Sequence, residues 1–155
     1  MVRATTTQVD KQCDGDTVVS LRPSTLADRG ILIAGRDAES RRYLGEGSPD
    51  PAPAFCILAA GEIVGWVDFD VDRSWLLVGE VNIGYNVFPE HRRLGYAARA
   101  VQLLFEHLGT NTEYTVATLL IDVHNTASLG VAGRLMCERQ PDMDSNAYFK
   151  TPLVK

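Results

Sequence analysis

The sequence predicts an α/β fold in which one mixed, mostly antiparallel sheet is flanked by helices. The first observation is a strand–helix–strand unit over residues 76–123, because a crossover helix places the strands on either side of it in parallel. The second is a pair of short apolar runs, 55–59 and 63–71, which flank Gly61-Glu62 as the strands of a hairpin do. The third is the length of 155 residues, which suits one domain with a core of its own.

The N-terminal region predicts a leader, a first strand and an interrupted helix. Residues 1–16 are polar and without periodicity, so we expect a loose leader ahead of a single domain at 17–155. Residues 17–21 predict a strand that ends at Pro23.

A helical segment follows, which Ser24 or Thr25 can cap, and we expect Gly30 and Gly35 to divide it. The predicted inner face consists of the apolar residues Leu26, Ile31, Leu32, Tyr43 and Leu44. The Gly-, Pro- and Ser-rich residues 45–53 predict a loop.

The second half of the chain alternates between strands and helices. The predicted elements are a strand at 76–88, a helix at 97–108, a strand at 115–123, a helix at 127–137 and a final strand at 147–153. Pro89 ends the first of these strands because it offers no ladder donor. Ala97, Leu104 and Leu108 recur at helical spacing. Asn125 can cap the second helix.

Composition excludes several classes of protein. The net charge of −5 disfavours a general nucleic-acid binder, and no apolar run approaches the length of a membrane span. The three cysteines, Cys13, Cys56 and Cys137, form no Cys-x-x-Cys pair, so we expect reduced thiols in a cytoplasmic protein and no metal site.

The most specific motif is a basic, glycine-containing loop between the strand at 76–88 and the helix at 97–108. It consists of Arg92, Arg93, Leu94, Gly95, Tyr96, Ala97 and Ala98. Such a loop turns several backbone amides toward one point at the positive end of a helix, which suits a pyrophosphate. Gly95 permits close approach of the phosphates. On an acidic chain this basic cluster favours a local anion site over a solvated surface.

In this setting the loop resembles the cofactor signature of the GNAT superfamily of acyl-CoA N-acyltransferases. That signature is Arg or Gln, two residues, Gly, one residue, then Gly or Ala, and Arg92, Gly95 and Ala97 fill its positions. Ile83-Gly84-Tyr85 and the Asn-x-x-Ser that begins at Asn125 are similar to the branch of ribosomal-protein N-terminal acetyltransferases. The resemblance covers about residues 55–136.

The resemblance implies acetyl-CoA as co-substrate and a GNAT fold in which the two parallel strands splay apart around the pantetheine arm. The cofactor-binding residues that it implies are Val87, Phe88, Arg92, Arg93, Leu94, Gly95, Tyr96, Ala97, Ala98 and Asn125. Amides at Val87 would hold the pantetheine and polarise the thioester, and the loop would hold the pyrophosphate.

The catalytic residues are open to two interpretations each. Amide formation needs a base for the amine and a proton for the leaving thiolate. Many relatives carry an acid directly before Ile-Gly-Tyr, where Asn82 stands here. Glu80 shares its strand face, and is either a base acting through water or an edge carboxylate. Ser128 is either the acid implied by the resemblance or a first-turn serine. Ala132 stands where many relatives have a tyrosine acid.

Other departures concern the acceptor side. Asp68, Asp70 and Asp72 alternate, which indicates either a solvated face or an acidic wall for a cationic acceptor. Met136-Cys137 replaces the usual Gly-Phe at the end of the second helix. The tail after Pro141 looks too short for the hairpin that closes the acceptor site in relatives.

The favoured function is direct acetyl transfer from acetyl-CoA to a primary amine, without a covalent enzyme intermediate. The acceptor is either a protein N-terminus or a small amine such as an aminoglycoside or polyamine, and a homodimer is left open. The alternative is a catalytically weak or silent CoA-binding module. A nucleotide-binding protein ranks lower because the loop lacks the Lys-Ser/Thr or three-glycine pattern.

Overall fold

The computed structural model describes residues 18–155, and a single seven-stranded sheet organises them. The elements in chain order are β1 (Ser20–Pro23), α1 (Arg29–Ala34), α2 (Ala38–Leu44), β2 (Phe55–Ala59), β3 (Glu62–Asp70), β4 (Glu80–Val87), α3 (Tyr96–Asn111), β5 (Val116–Asp122), α4 (Thr126–Arg134), β6 (Glu138–Met143) and β7 (Asn146–Pro152). Short 3-10 turns at Leu26–Asp28 and Pro89–His91 complete them. The leader expected at 1–16 lies outside the described residues.

The sheet has the order β1-β2-β3-β4-β5-β7-β6. Its neighbouring strands are antiparallel except for the parallel pair β4–β5. The predicted α/β fold with one parallel strand pair is therefore confirmed. The crossover through α3 produces that pair.

The helical segment after β1 divides at Gly35, whereas Gly30 lies inside α1. Thr25 begins the segment, and its backbone amide donates to the Asp28 carboxylate at 2.8 Å. Asp28 in turn receives a bidentate pair of bonds from Arg22, at 3.0 Å each.

The inner face predicted for this segment is partly wrong. Leu32 is buried, but Leu26, Ile31 and Leu44 are exposed by 86%, 49% and 47%. The ion-paired Asp28 takes the inward position, and the break at Gly35 gives the two helices independent faces.

The predicted hairpin between β2 and β3 is confirmed, with its turn at Ala60 and Gly61. Both residues have positive φ, 51° and 82°, as a tight two-residue hairpin turn requires. The strand predicted at 76–88 begins too early, since β4 starts at Glu80. Gly79, with a φ of +86°, turns the chain just before it.

The parallel pair is short, and this creates a cleft. Glu80, Val81 and Asn82 lie opposite Val116, Ala117 and Thr118. Beyond Asn82 the two strands no longer pair, although β4 continues to Val87. One edge of β4 is therefore open toward β5 along five residues.

The main core lies between one sheet face and α3. Alternate residues of β4 (Val81, Ile83 and Val87) share a buried cluster with Val101 and Leu104 of α3. Residues of the opposite phase, including Glu80 and Asn82, face the other side of the sheet. There a smaller cluster consists of Leu32, Cys56 and Phe88.

The sequence prediction missed β6, which pairs antiparallel with β7. The prediction of a tail too short for a hairpin is therefore wrong. β6 is an edge strand, largely exposed, and contains Pro141. Such a strand lacks the apolar alternation by which strands are predicted, and edge positions tolerate proline.

The helix predicted at 127–137 ends at Arg134. Met136 follows with a φ of 57°, and so adopts the left-handed conformation that the missing glycine would supply. The Cys137 amide donates to the carbonyl of Ala132 at 3.0 Å and completes the turn.

Candidate active site

The signature loop lies between the Pro89–His91 turn and the first turn of α3. Gly95 precedes the helix with a φ of 81°, and Arg93 has a φ of 65°. These left-handed residues tighten the loop against the N-terminus of a 16-residue helix. The first-turn amides of α3 have no helical acceptors, so the loop provides donors and a positive dipole end for an anion.

Arg92 does not project into this anion site. Its Nε donates to the carbonyl of Val87 at 2.7 Å, and its Nη atoms bind the Asp37 carboxylate at 2.8 and 3.0 Å. Asn86 Oδ1 and Glu39 lie at 3.3 and 3.4 Å. The guanidinium therefore holds the loop against α2, and the Arg92 amide donates to the carbonyl of Pro89 at 3.4 Å, so neither group is directed at the cofactor contact predicted for Arg92.

Arg134, at the end of α4, supplies a cation that the sequence analysis missed. A Cβ placed on Gly95 would lie 3.5 Å from Arg134 Nη1. Within residues 18–155, the Arg134 guanidinium has neither a hydrogen bond nor an ion pair. The Arg93 side chain is also exposed beside the loop. Only the packing of α4 against α3 reveals the contribution of Arg134, because Arg134 is 39 positions from Gly95 in the chain and shares no local pattern with it.

The open edge of β4 offers amides to the cleft in alternation. The Phe88 amide donates to Val64 of β3 at 2.8 Å, so it is already used. Strand periodicity then directs the Val87 and Tyr85 amides away from β3 and toward the cleft. The contact predicted for Val87 stays a prediction, made by an amide that faces the cleft, whereas Phe88 contributes a buried side chain.

The start of α4 faces the same cleft. Asn125 caps the helix, with its Oδ1 accepting from the Ser128 amide at 3.3 Å. The amide nitrogen of the Asn125 side chain remains a donor. Ser128 lies beside Tyr85 of β4, whose hydroxyl is buried and has no hydrogen-bond partner in the described part of the chain. The cofactor role of Asn125 and the acid role of Ser128 stay predictions.

In the structure, Glu80 accepts two hydrogen bonds through its carboxylate. It is buried, and its carboxylate accepts from Lys150 Nζ at 2.5 Å and from the Leu77 amide at 3.0 Å. Burial raises the pKa of Glu80, but these two hydrogen bonds outweigh it and bring the pKa below its usual value. Glu80 also lies at the paired end of β4, opposite Val116. These contacts favour the edge-carboxylate interpretation over a free base.

The residues at the vertex of the cleft are Asn82 and Thr118. The Thr118 hydroxyl is fully buried and donates toward Asn82 Oδ1 at 3.4 Å. Neither side chain is a base at neutral pH. His124, two residues after β5, is exposed, and its Nδ1 lies 3.1 Å from Asp122 Oδ1.

The acidic row on β3 is only partly available to an acceptor. Asp68 accepts from the Ala54 amide at 3.0 Å, and burial raises its pKa. Asp70 pairs with Arg73, and Asp72 lies beyond the end of β3. Of the two alternatives, the acidic wall is therefore reduced to isolated carboxylates.

Metal-binding clusters and membrane-spanning helices are both absent from the described part of the chain. No group of three or more His, Cys, Asp or Glu side chains there could hold a metal ion. No helix within residues 18–155 has both the length and the apolar character to cross a membrane.

A cleft beside a splayed parallel pair, with an amide-rich loop and two cations at one mouth, defines a site for an acyl-CoA. Residues 19–138 match the family model of the acetyltransferase (GNAT) domain. The chain therefore belongs to the GNAT family, and it is an acetyl-CoA-dependent acetyltransferase.

Solved structures share this fold. A GNAT-family acetyltransferase from Bacillus anthracis has a TM-score of 0.74 at 16% identity, covering 87% of this chain and 95% of its own. The aminoglycoside acetyltransferase AAC(6')-Ib in complex with coenzyme A has a TM-score of 0.73 at 18% identity, covering 86% and 94%. RimL, a ribosomal L7/L12 alpha-N-protein acetyltransferase in complex with coenzyme A, has a TM-score of 0.73 at 15% identity, covering 89% and 96%. No curated protein sequence matches the chain.

Proposed function

We propose that this protein transfers the acetyl group of acetyl-CoA directly to a primary amine of a peptide or small molecule. The observation that carries the proposal is the separation of β4 from β5 beyond Asn82, next to the loop at the N-terminus of α3. This geometry opens a strand edge for the pantetheine arm and provides an anion site for the pyrophosphate at its mouth.

The residues present fit acetyl-CoA. The loop amides from Arg93 to Ala98 would bind the pyrophosphate, and the exposed guanidinium groups of Arg93 and Arg134 would add charge contacts. The Val87 amide and the side chain of Asn125 would hold the pantetheine from opposite sides of the cleft. Bound acetyl-CoA supplies the activated acetyl group.

The reaction then needs two proton transfers, one from the amine and one to the leaving thiolate. We assign to Ser128, at the start of α4, the donation of a proton toward the sulfur of the leaving group. The amine proton passes to water at the vertex of the cleft near Asn82, and Glu80 acts on that water only when Lys150 releases it. The acetyl group moves straight to the amine, without a covalent intermediate on the enzyme.

For the acceptor, we propose a protein N-terminus or a small polyamine-like or aminoglycoside-like amine. Among proteins of the same fold, RimL is an alpha-N-protein acetyltransferase and AAC(6')-Ib is an aminoglycoside acetyltransferase, so each represents one of these two classes. Because Asp68 and Asp70 are engaged by the Ala54 amide and by Arg73, the acidic row does not decide between these two classes. We place the reaction in the cytoplasm, where reduced Cys56 and Cys137 would be stable.

A second function follows from one observation, the engaged Glu80. With Glu80 bound to Lys150 and without a tyrosine at position 132, the domain would bind CoA as a sensor and turn over slowly or not at all. This alternative predicts cofactor binding without transfer.

Cofactor binding is tested by thermal unfolding with acetyl-CoA, because a ligand that binds the folded state raises the melting temperature. Gly95→Val should abolish the shift, since a branched side chain would occupy the phosphate position. Gly45→Val is the matched control: Gly45 also has a positive φ, 82°, with no atom near its Cβ position. It should lower the melting temperature but keep the shift. A full shift in Gly95→Val would refute the assignment of the loop.

Transfer is tested by release of free CoA thiol with a panel of peptides, aminoglycosides and polyamines. Blocking the N-terminus of an active peptide should abolish release, and Glu80→Gln should lower turnover by roughly 10²–10⁴-fold if Glu80 is the base. A thermal shift without thiol release from any amine would support the silent CoA-binding module.

A further inference from the structure

Tyr85 carries a buried hydroxyl that the described fold leaves unused. It belongs to the part of β4 that no longer pairs with β5, and its side chain shares the strand face of Ile83 and Val87. Its Oη is shielded from solvent and has no hydrogen-bond partner among residues 18–155. A buried donor without an acceptor is costly, so it points to a group that arrives later.

The neighbours of this hydroxyl come from α4 and its end. Burial is the largest effect on the Tyr85 hydroxyl, and it raises the pKa of Tyr85 to about 12. The Ser128 side chain is near enough to act on that hydroxyl as a hydrogen-bond partner, which lowers the pKa of Tyr85, although the two do not reach hydrogen-bonding geometry. The charge of Cys137 raises that pKa. Burial also raises the pKa of Cys137 to about 11. These side chains are therefore neutral at physiological pH, and the two hydroxyls can donate to an anion formed between them.

We propose that the Tyr85 hydroxyl donates a hydrogen bond to the CoA sulfur as it leaves, as a second donor beside Ser128. The inference rests on the proposed acetyl transfer and on the pantetheine lying along the open edge of β4. The sulfur would then pass over the face of the strand from which Tyr85 projects and beside the first turn of α4.

The bonds of the step balance without another reactant. The amine nitrogen forms a bond to the acetyl carbon, the carbon–sulfur bond breaks, and its electron pair goes to sulfur. Tyr85 stabilises that negative charge but keeps its own proton. The proton that converts the thiolate to the thiol comes from the amine nitrogen, through Ser128 or water. Tyr85 therefore acts as a fixed donor rather than as a general acid.

The test compares Tyr85→Phe with Tyr114→Phe, which removes a hydroxyl from a tyrosine packed against the same core but located before β5. At saturating acetyl-CoA and amine, Tyr85→Phe should lower kcat by roughly 10²–10³-fold, as for the loss of one donor to a developing anion. Its KM for acetyl-CoA should change little, and Tyr114→Phe should match the wild type. Ionisation of Tyr85 should not contribute to the wild-type pH–rate profile.

A second readout needs no transfer. Ultraviolet titration of bound CoA, with the spectrum of the protein alone subtracted, follows ionisation of its thiol. Cys56 and Cys137 stay protonated below about pH 10, because burial raises the pKa of each to about 11. The bound thiol should be more acidic in the wild type than in Tyr85→Phe, roughly tenfold in ionisation constant, as expected for a hydrogen bond to a charged group.

The outcomes separate this inference from the proposed function. Wild-type protein that binds CoA but transfers nothing would refute the transfer, and the thiol titration would still decide the role of Tyr85. Unchanged thiol acidity in Tyr85→Phe, with kcat also unchanged where chemistry is rate-limiting, would overturn the inference and leave Tyr85 as a packing residue.

Discussion

The ion pair between Arg92 and Asp37 predicts a measurable loss of stability in Asp37→Asn. Hydrogen bonds from Arg92, chiefly, lower the pKa of Asp37 from 3.8 to about 2. A change of that size corresponds to about 2.5 kcal/mol. The two side chains remain 28% and 23% exposed, so solvent screening reduces the expected loss to about 1–2 kcal/mol. Asparagine can still cap α2 by accepting from the Ser40 amide, so the substitution tests mainly the charge.

The pH dependence follows from the direction of the shift. A carboxyl whose folded pKa is depressed stabilises the protein above its unfolded pKa, here 3.8, and stops doing so as the pH falls through its folded value of about 2. The wild type should therefore be more stable than Asp37→Asn by the full amount at neutral pH. The free energies of unfolding of the two proteins should converge between about pH 4 and pH 2. Arg22 also lowers the pKa of Asp28 to about 2. Asp28 titrates equally in both proteins, so its contribution cancels in the difference between their free energies of unfolding.

Urea unfolding at a series of pH values measures the difference. The matched control is Asp50→Asn, because Asp50 pairs with Arg29 at 2.6 Å while both side chains are more than half exposed. It should change the free energy of unfolding by less than about 0.5 kcal/mol. Equal stability of Asp37→Asn and the wild type at neutral pH would refute the reasoning. A gap that persists undiminished near pH 2.5 would refute it as well.

Four further predictions concern the cofactor mouth, the two helices α3 and α4, and a thiol. Arg134→Ala should weaken acetyl-CoA binding roughly tenfold, by loss of a charged hydrogen bond, in a titration whose salt dependence also falls. Gly130→Ala should stabilise α4 by up to about 1 kcal/mol, since its Cβ would meet nothing within 4 Å. In α3, by contrast, a Cβ on Gly109 would lie 2.1 Å from the Val154 carbonyl, so Gly109→Ala should destabilise by about 1–3 kcal/mol in thermal unfolding. Cys56 should resist alkylation at pH 8 until the protein unfolds, as mass spectrometry can follow, because burial raises its pKa to about 11.

The sequence predicted those features that depend on local pattern. The loop through Gly95, the α3 helix and the parallel strands on either side were predicted because their spacing and chain order constrain them. The cap at Asn125 was predicted for the same reason. Each of these needs only neighbouring residues and one crossover rule.

The features that the sequence did not predict depend on contacts between distant residues. Lys150 binds Glu80 across 70 positions, and Asp37 binds Arg92 across 55. Neither pair has a periodic signal, so the sequence left Glu80 open between a base and an edge carboxylate and predicted a cofactor contact for Arg92. β6 was missed because an exposed edge strand has no buried face to impose alternation.

β6 also determines how the sheet ends. An outer strand presents unpaired donors and acceptors to any other chain that could extend the sheet. Here Pro141 removes one of those donors, and the pairing with β7 is irregular between Gln140 and Met143. Arg139 and Asp142 add an exposed ion pair at 3.0 Å. The same features that hid this strand in the sequence thus protect the folded protein against edge-to-edge aggregation, and an assembly of two copies through β6 is disfavoured.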